Sequence, residues 1–375
     1  MLMAETDDRI SELPDETLSH IISFLPSEDA FATREISKRW RPLWLLYPSP
    51  NLDFDDQRFF KKGGSCSSFK DMVNATIYAR KVHRQPIKSF RLRCHDNAIT
   101  AFDVGMWLID AAERGIEYLD VHMLDTPNFY CCVFNFRNLV VLKLKGIHIG
   151  IFVSAHLPLL RTLHLNKVHF FEHAFIVEIL NACPILEDLE VKNMSIQYWT
   201  DEYDGECKSL PNLAKADICN LSAYDIHLEA FYNVKFLRLE EMFGCVPVFS
   251  NLTHLEIVYG RGINWNFVSQ VLKNCPILQS FLLEMTLTPN IFAWLPVSRF
   301  LPECLSLEMK RCTVTNYRGE ENELKFVQHI LMISTALESM RVYISPSLNS
   351  QEKLDVLEKL MAFPRSSSTC EVYFE

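Results

Sequence analysis

The chain has 375 residues, enough for about two or three structural units, and its 37 basic and 47 acidic side chains give a formal net charge of −10. Hydrophobic residues make up 49% of the composition, which excludes a largely disordered chain, and the acidic field argues against nucleic acid or an anionic membrane as partner. The acidic first ten residues, and the lysines and histidines within residues 139–160, argue against a secretory signal and a membrane span. We therefore expect a soluble protein of the cytoplasm or nucleus.

The twelve cysteines are too sparse for a disulfide scaffold, and no two are separated by the two residues typical of zinc-binding motifs. Apolar neighbours such as those of Cys183 predict reduced thiols in the core. His164, His169 and His173 come closest to a cluster of metal ligands, but scattered loop and half-buried histidines are the favoured interpretation. The sequence therefore predicts no metal and no other cofactor.

Residues 8–56 have the pattern of three short helices. Pro14 precedes a helix with acidic residues in its first turn and apolar residues at helical spacing. Pro26 ends that helix, Ser27 begins a second one, and residues 35–44 form a third. A segment of this size cannot bury all of its large apolar side chains by itself. They must contact either the rest of the chain or a partner, and the pattern alone leaves both open.

The motifs at residues 13–16, 21–26, 37–41, 43–44 and 52–56 resemble the F-box motif in its plant form. The resemblance implies docking on a Skp-type adaptor and, through it, on cullin and RING subunits. Glu35 stands where the family usually has an apolar residue, so it weakens adaptor binding if it faces the interface and is harmless if the helix is slightly rotated. The candidate adaptor contacts are Leu13, Pro14, Leu18, Ile21, Ile22, Leu25, Ala30, Phe31 and Ile36.

Between about residues 85 and 310 a short motif recurs, in which an apolar residue is followed by further apolar residues three and five positions later. Its spacing of 18 to 27 residues is mostly that of leucine-rich repeats, whose strands stack into a parallel sheet with helices, here 175–180 and 267–272, outside. Ile147, Val168 and Met194 stand where regular repeats have an asparagine, so the array should be irregular. The clear copies are Leu139-Leu142-Leu144, Leu160-Leu163-Leu165, Leu186-Leu189-Val191, Leu213-Ala216-Ile218, Val234-Leu237-Leu239, Leu252-Leu255-Ile257 and Leu278-Phe281-Leu283, and the weaker ones are Ile87-Phe90-Leu92, Ile116-Leu119-Val121 and Leu305-Leu307.

The variable strand positions of such an array point away from its core and form the concave face. Their mixed charge favours a protein as the partner, and the sequence does not identify this target protein. Single positions of this kind are often ordinary solvated surface. The candidate target-binding residues are Lys143, Lys145, His164, Asn166, Glu190, Lys192, Arg238 and Glu240.

Residues 301–375 have the pattern of two helices and two strands. Their motifs at residues 301–305, 317–319, 323–324, 336–338 and 363–368, with Cys370 and Phe374, resemble the FBD domain that ends many plant F-box and leucine-rich-repeat proteins. The sequence thus predicts an α/β chain. It comprises a three-helix F-box (8–56), a linker and first helix (57–84), an irregular leucine-rich-repeat solenoid with a parallel sheet inside and helices outside (85–300), and an FBD α/β segment as cap (301–375).

The function implied by the resemblance is that of the substrate-recognition subunit of an SCF-type cullin-RING ubiquitin ligase, which performs no bond chemistry itself. An enzyme is disfavoured because the chain contains no GxSxG, HExxH or P-loop motif. Two alternatives stay open: a hormone or small-molecule co-receptor of the same ligase class, and a repeat scaffold outside any ligase.

Overall fold

The computed structural model describes residues 10, 12–44, 49–126, 129, 131–150, 154–172, 174–198, 207–219, 228–240, 246–259, 264–285, 305 and 307–375. The chain divides into two compact units, one formed by residues 1–160 and 167–171 and the other by residues 161–166 and 172–375. Among the described residues, no helix is both long enough and apolar enough to cross a membrane.

The first unit begins with helices and continues as a parallel sheet with further helices. Its helices are α1 (Asp15–Ile22), α2 (Ser27–Ala32), α3 (Trp40–Leu43), α4 (Asp56–Lys61), α5 (Cys66–Val82) and α6 (Ala101–Ala112), with 3-10 turns at Thr33–Glu35 and Cys131–Asn135. Its strands are β1 (Asn51–Asp55), β2 (Ser89–Arg93), β3 (Tyr118–Thr126) and β4 (Val141–Ile149). The side chains of Ser65 and Thr100 begin α5 and α6 with capping boxes, as expected for hydroxyl residues at helix N-caps.

The four strands of this unit are parallel and pair in chain order. Each contributes at least two buried apolar residues, and two from each strand lie in register across the sheet. The inner rows are Leu52, Phe90, Leu119 and Leu142, and Phe54, Leu92, Val121 and Leu144. The sheet therefore begins at residue 51, one repeat earlier than the first copy recognised in the sequence.

The second unit contains the remaining elements. They are β5 (Thr162–Glu172, with residues 167–171 in the first unit), α7 (Ala174–Asn181), β6 (Asp188–Lys192), β7 (Ser195–Tyr198), β8 (Lys215–Cys219), a 3-10 turn (Leu228–Phe231), β9 (Phe236–Glu240), β10 (His254–Val258), α8 (Trp265–Lys273), β11 (Ser280–Glu284), β12 (Arg311–Tyr317), α9 (Glu321–Ile333), β13 (Ser339–Ile344), α10 (Ser350–Met361) and β14 (Glu371–Phe374). Strands β5, β6 and β8 to β14 pair in that order, all parallel.

The predicted repeats are confirmed as the source of the sheet. All three apolar residues of every clear copy are buried, because they form the layer between the strands and the elements that connect them. In the second unit this layer includes Trp265 of α8, whose ring lies 5.3 Å from that of Phe326 on α9. The weak copy at Leu305 and Leu307 is wrong: both residues are helical and Leu307 is exposed, and the strand of this repeat is β12.

A left-handed residue recurs two positions after the second buried strand residue. Gly146, Lys167, Asn193 and Asn316 have φ of +68°, +52°, +52° and +56°. The residue that follows the first three of them is Ile147, Val168 or Met194, and each is buried. An apolar side chain thus fills the place of the usual asparagine, and β4 and β5 continue as extended chain beyond the kink.

The C-terminal segment has the predicted α/β order. Helices α9 and α10 and strands β13 and β14 lie close to their predicted positions. Its three strands β12, β13 and β14 extend the parallel sheet of the second unit, and β14 is the last strand.

Candidate functional site

The N-terminal helices expose several apolar side chains. Helix α1 is amphipathic, so Leu18 and Ile22 are fully buried while Ile21 on its other side is 41% exposed. Phe24 and Ile36 are 75% and 59% exposed, and Ile10 is exposed as well. We call Ile10, Ile21, Phe24 and Ile36 the exposed apolar set.

The nine candidate adaptor contacts fall into three groups. Pro14, Ile21 and Ile36 are exposed, and Leu13 and Leu25 are half-buried. The other four are Leu18, Ile22, Ala30 and Phe31, all buried. Those four are enclosed by this chain itself, so they support the surface rather than form it.

Two exposed residues of the set, Ile10 and Phe24, were not among the candidates. Phe24 lies within the recognised motif, and its position three residues after Ile21 was the signal that would have placed it on the exposed side of the helix end.

Polar contacts hold the helices in place. The Arg39 guanidinium forms an ion pair of 2.6 Å with Asp15 and donates a hydrogen bond of 2.5 Å to the carbonyl oxygen of Leu13, which joins the start of α1 to the residue before α3. Arg34 lies 3.7 Å above the ring of Phe31 and 2.9 Å from the carboxylate of Glu35. The side chain of Glu35 is 71% exposed, so it is not desolvated within this chain.

A buried carboxylate connects these helices to the sheet. Glu28 of α2 is 2% exposed and accepts a hydrogen bond of 3.1 Å from the backbone N–H of Asp55 on β1. It also lies 3.2 Å from the guanidinium of Arg58. Burial raises the pKa of Glu28, although Arg58 and the backbone donors oppose that shift. The helices are therefore joined to β1 by a specific polar contact as well as by chain continuity.

The polar strand positions of the second unit form a network of ion pairs. Lys192 lies 2.6 Å from Asp217 and 3.2 Å from Glu190, and Arg238 lies 3.6 Å from Glu256 and 3.3 Å from Glu284. Three of these acids were not among the candidates, although their register places them on the same side of the sheet as the predicted residues. They are Asp217, Glu256 and Glu284.

The remaining candidates of the second unit lie on β5 and β9. Nε2 of His164 lies 3.2 Å from a carboxylate oxygen of Asp188, and the Asn166 amide oxygen lies 3.4 Å from the amide nitrogen of Asn193. Glu240 ends β9, at the edge of the described residues. These side chains are half-buried and lie on the polar side of their strands.

In the first unit the polar positions are less completely paired. The guanidinium of Arg93 forms a bidentate ion pair with the carboxylate of Asp120, with N–O distances of 2.8 and 2.7 Å. Lys143 and Lys145 form no ion pair with any residue that the structure describes. They are therefore the predicted target-binding residues whose charge is most available to a partner.

His122 lies in this unpaired part of the face. Burial, together with the nearby charges of Lys145, Arg93 and His95, lowers the pKa of His122 to about 4, while Asp120 opposes the shift. The rings of His95 and His122 are 5.3 Å apart. His122 is therefore neutral at pH 7 and adds no positive charge beside Lys145.

The histidines considered as metal ligands are not brought together. His164 pairs with Asp188, and His173 lies outside the described residues. His169 instead meets His148 and Asp125. The signal in the sequence was positional, because each of these three residues comes four positions after the second buried strand residue of its repeat, Val121, Leu144 or Leu165.

Of the cysteines that the structure describes, five are buried and four are half-buried. Those among the described residues form no disulfide, and Cys94, Cys183, Cys275, Cys312 and Cys370 are buried. The thiol of Cys183 donates a hydrogen bond of 3.1 Å to the carbonyl oxygen of Ile179, and burial raises its pKa to about 12.

Comparison with known families places two domains on this architecture. The F-box family model matches residues 10–49, which are the N-terminal helices and the exposed apolar set. The FBD family model matches residues 297–342, which include β12, α9 and most of β13.

Curated relatives align with this chain over all or nearly all of their length. An F-box/FBD/LRR-repeat protein of Arabidopsis thaliana is 26% identical, with all of both chains aligned. An FBD-associated F-box protein of the same plant is 27% identical over 98% of this chain and all of the relative, and a second F-box/FBD/LRR-repeat protein is 28% identical over 98% and 94%. The resemblance predicted from the sequence is thus confirmed: the chain contains an F-box domain and an FBD domain, and it is similar to F-box/FBD/LRR-repeat proteins of Arabidopsis thaliana.

Proposed function

We propose that this protein is the substrate-recognition subunit of an SCF-type cullin-RING ubiquitin ligase. The N-terminal helices bind a Skp-type adaptor, and the polar side of the sheet binds the protein to be modified. The chain performs no bond chemistry; it raises the concentration of its target beside the enzyme that carries ubiquitin. In this proposal it works in the cytoplasm or the nucleus.

The observation that carries the proposal is the exposure of large apolar side chains on a segment otherwise well packed. Phe24 is 75% exposed although Phe31, seven residues later, is 5% exposed and in contact with Trp44 and Phe59. Helix interfaces are typically built from such apolar anchors surrounded by charged residues, and the same segment carries the exposed ion pair of Asp15 and Arg39. An aromatic residue exposed to this extent is a natural anchor for a partner helix.

The charges of the sheet that are not already paired indicate which kind of target it can bind. Ion pairs within the second unit already satisfy Lys192 and Arg238, so their contribution to a partner is small. Lys143 and Lys145 are not satisfied in this way, which favours an acidic segment of the target as their partner.

The test is direct binding of the purified chain to a Skp-type adaptor. We expect Phe24→Asp and Ile21→Asp to weaken adaptor binding at least about 10-fold, because a charge is desolvated in an apolar contact. Leu354→Asp is the matched control, since Leu354 is 55% exposed on α10, far along the chain from the F-box. Equal affinity of the Phe24→Asp variant and the control would refute the assignment of the interface.

Two further variants separate the parts of the proposal. Glu35→Ala should change adaptor affinity by less than about 1 kcal/mol, because an exposed ion pair contributes little. A Leu13→Ala, Pro14→Ala variant should lose the adaptor but retain proteins that bind the sheet. Loss of both activities in a folded variant would argue for a scaffold without separate binding surfaces.

A further inference from the structure

Three potential metal ligands of the first unit converge at one point. Nε2 of His148 lies 2.7 Å from a carboxylate oxygen of Asp125, and Nε2 of His169 lies 3.6 Å from the same oxygen. The two imidazole rings are in contact, with centroids 4.3 Å apart. One ligand atom from each of the three residues lies within 4.8 Å of the other two.

The repeat architecture brings these residues together. Each lies at the same position of its repeat, on the extended chain of β3, β4 or β5 beyond the second buried strand residue. Gly146 and Lys167, both left-handed, precede His148 and His169 by two residues, and Asp125 itself has φ +50°. The side chains remain partly open to solvent, at 72% for Asp125 and 38% for each histidine.

The distances suit a small transition-metal ion. Zinc with bonds of about 2.1 Å in tetrahedral geometry holds its ligand atoms about 3.4 Å apart, and the two N–O distances bracket that value. Two imidazoles and one carboxylate form a ligand set that zinc accepts, and solvent reaches the cluster to supply a water as the fourth ligand. The replacement of the His148–Asp125 hydrogen bond by two metal bonds needs only small side-chain movements.

We propose that Asp125, His148 and His169 form a zinc-binding site that joins β3, β4 and residues 167–171, the part of β5 that belongs to the first unit. The site is independent of the adaptor contact and of the ligase assignment. Its effect is structural, because the metal joins the ends of strands that otherwise meet solvent.

A second cluster in the same unit provides the contrast. Asp55, Asp56 and His95 also bring their ligand atoms close together. However, Asp56 is fully buried, and its oxygens accept hydrogen bonds from the backbone N–H groups of His95 and Asp96 and contact Nδ1 of His95 at 2.9 Å. Its lone pairs are therefore already used, which leaves little capacity for a metal.

The experiment is zinc titration of the full chain after treatment with a chelator, followed by calorimetry and by the thermal unfolding midpoint. We expect one saturable equivalent of zinc in the wild type and a midpoint that rises with zinc concentration. His148→Gln and His169→Gln should both lose that equivalent and the shift, whereas His95→Gln should keep them. Cobalt substitution should give the absorption of a site with nitrogen and oxygen ligands.

Each contrary result overturns the proposal. Absence of saturable binding in the wild type would show that the cluster is an ordinary hydrogen-bonded pair. Binding that survives in both triad variants, or that shows sulfur-to-cobalt charge transfer, would assign the metal to the cysteines or to other residues. Because the triad is exposed, His148→Gln and His169→Gln should both have the wild-type unfolding midpoint in chelator, which separates loss of metal from loss of fold.

Discussion

Gly146 should be among the least replaceable residues of the first unit. It has φ +68°, and a Cβ atom built on it would lie 2.0 Å from the backbone carbonyl oxygen of Met123 and 3.3 Å from the backbone nitrogen of Asp125. The left-handed conformation alone costs alanine about 1 to 2 kcal/mol, and the displacement of a paired strand adds about 1 to 3 kcal/mol. Loss of chain entropy in the unfolded state returns about 0.5 to 1 kcal/mol. Gly146→Ala should therefore destabilise the unit by about 1 to 4.5 kcal/mol.

Gly115→Ala is the matched control. Gly115 has φ +77°, but nothing lies within 4 Å of the Cβ that it would acquire. The same conformational cost then applies without the overlap, and its net cost should be below about 1.5 kcal/mol. Thermal unfolding should show Gly146→Ala at least about 2 °C below the control, and hydrogen exchange should locate the loss in β3 and β4. Equal midpoints for the two variants would refute the steric argument.

Two further predictions concern titratable groups of the same unit. Because the pKa of His122 is lowered to about 4 in the folded chain, this side chain is protonated below about pH 6.5 in the unfolded chain but stays neutral in the folded chain until the pH is much lower. The free energy of unfolding should therefore fall as the pH drops from about 6.5 to 4, by up to about 2 kcal/mol after allowance for partial exposure. Urea unfolding of His122→Gln should show a smaller fall over the same pH range. An equal dependence of stability on pH in the variant and the wild type would contradict the assignment. Asp56→Ala removes the oxygen that accepts hydrogen bonds from the backbone N–H groups of His95 and Asp96 in a fully buried position, so urea unfolding should show a loss of about 2 to 3 kcal/mol, against a smaller change for Asp53→Ala, whose side chain is only half-buried on β1.

The sheet could be predicted because burial imposes a period on the sequence. Leu163 and Leu165, or Leu189 and Val191, are buried on one side of a strand while the residue between them is polar, and copies of this unit recur along the chain. Strand β1 was missed because Leu52 and Phe54 also satisfy the end of the F-box motif, so one pattern concealed the other.

The contacts between repeats could not be predicted in the same way. Which acid pairs with Lys192 depends on the register of β6 and β8, and that register depends on loop lengths that the periodicity does not fix. Similarly, His169 meets His148 and Asp125 because extended chain continues past a left-handed residue, whereas sequence proximity suggested His164 and His173.

The exposed apolar set was predictable in kind but not in detail. Helical spacing identified both Ile21 and Ile22, and only the packing of α1 shows that Ile22 is enclosed while Ile21 and Phe24 meet solvent.

The contact of Glu28 with Asp55 has a geometric consequence for the assembly proposed above. Strand β1 begins at residue 51, directly after the F-box match ends at residue 49, so the two parts share almost no free chain. A protein held on the first strands would be presented to its modifying enzyme in a set orientation, and only those of its lysines that point the right way would come within reach. Which lysine of the bound protein is modified would then depend on the short connection between the F-box helices and β1 rather than on a residue of this chain that recognises lysine.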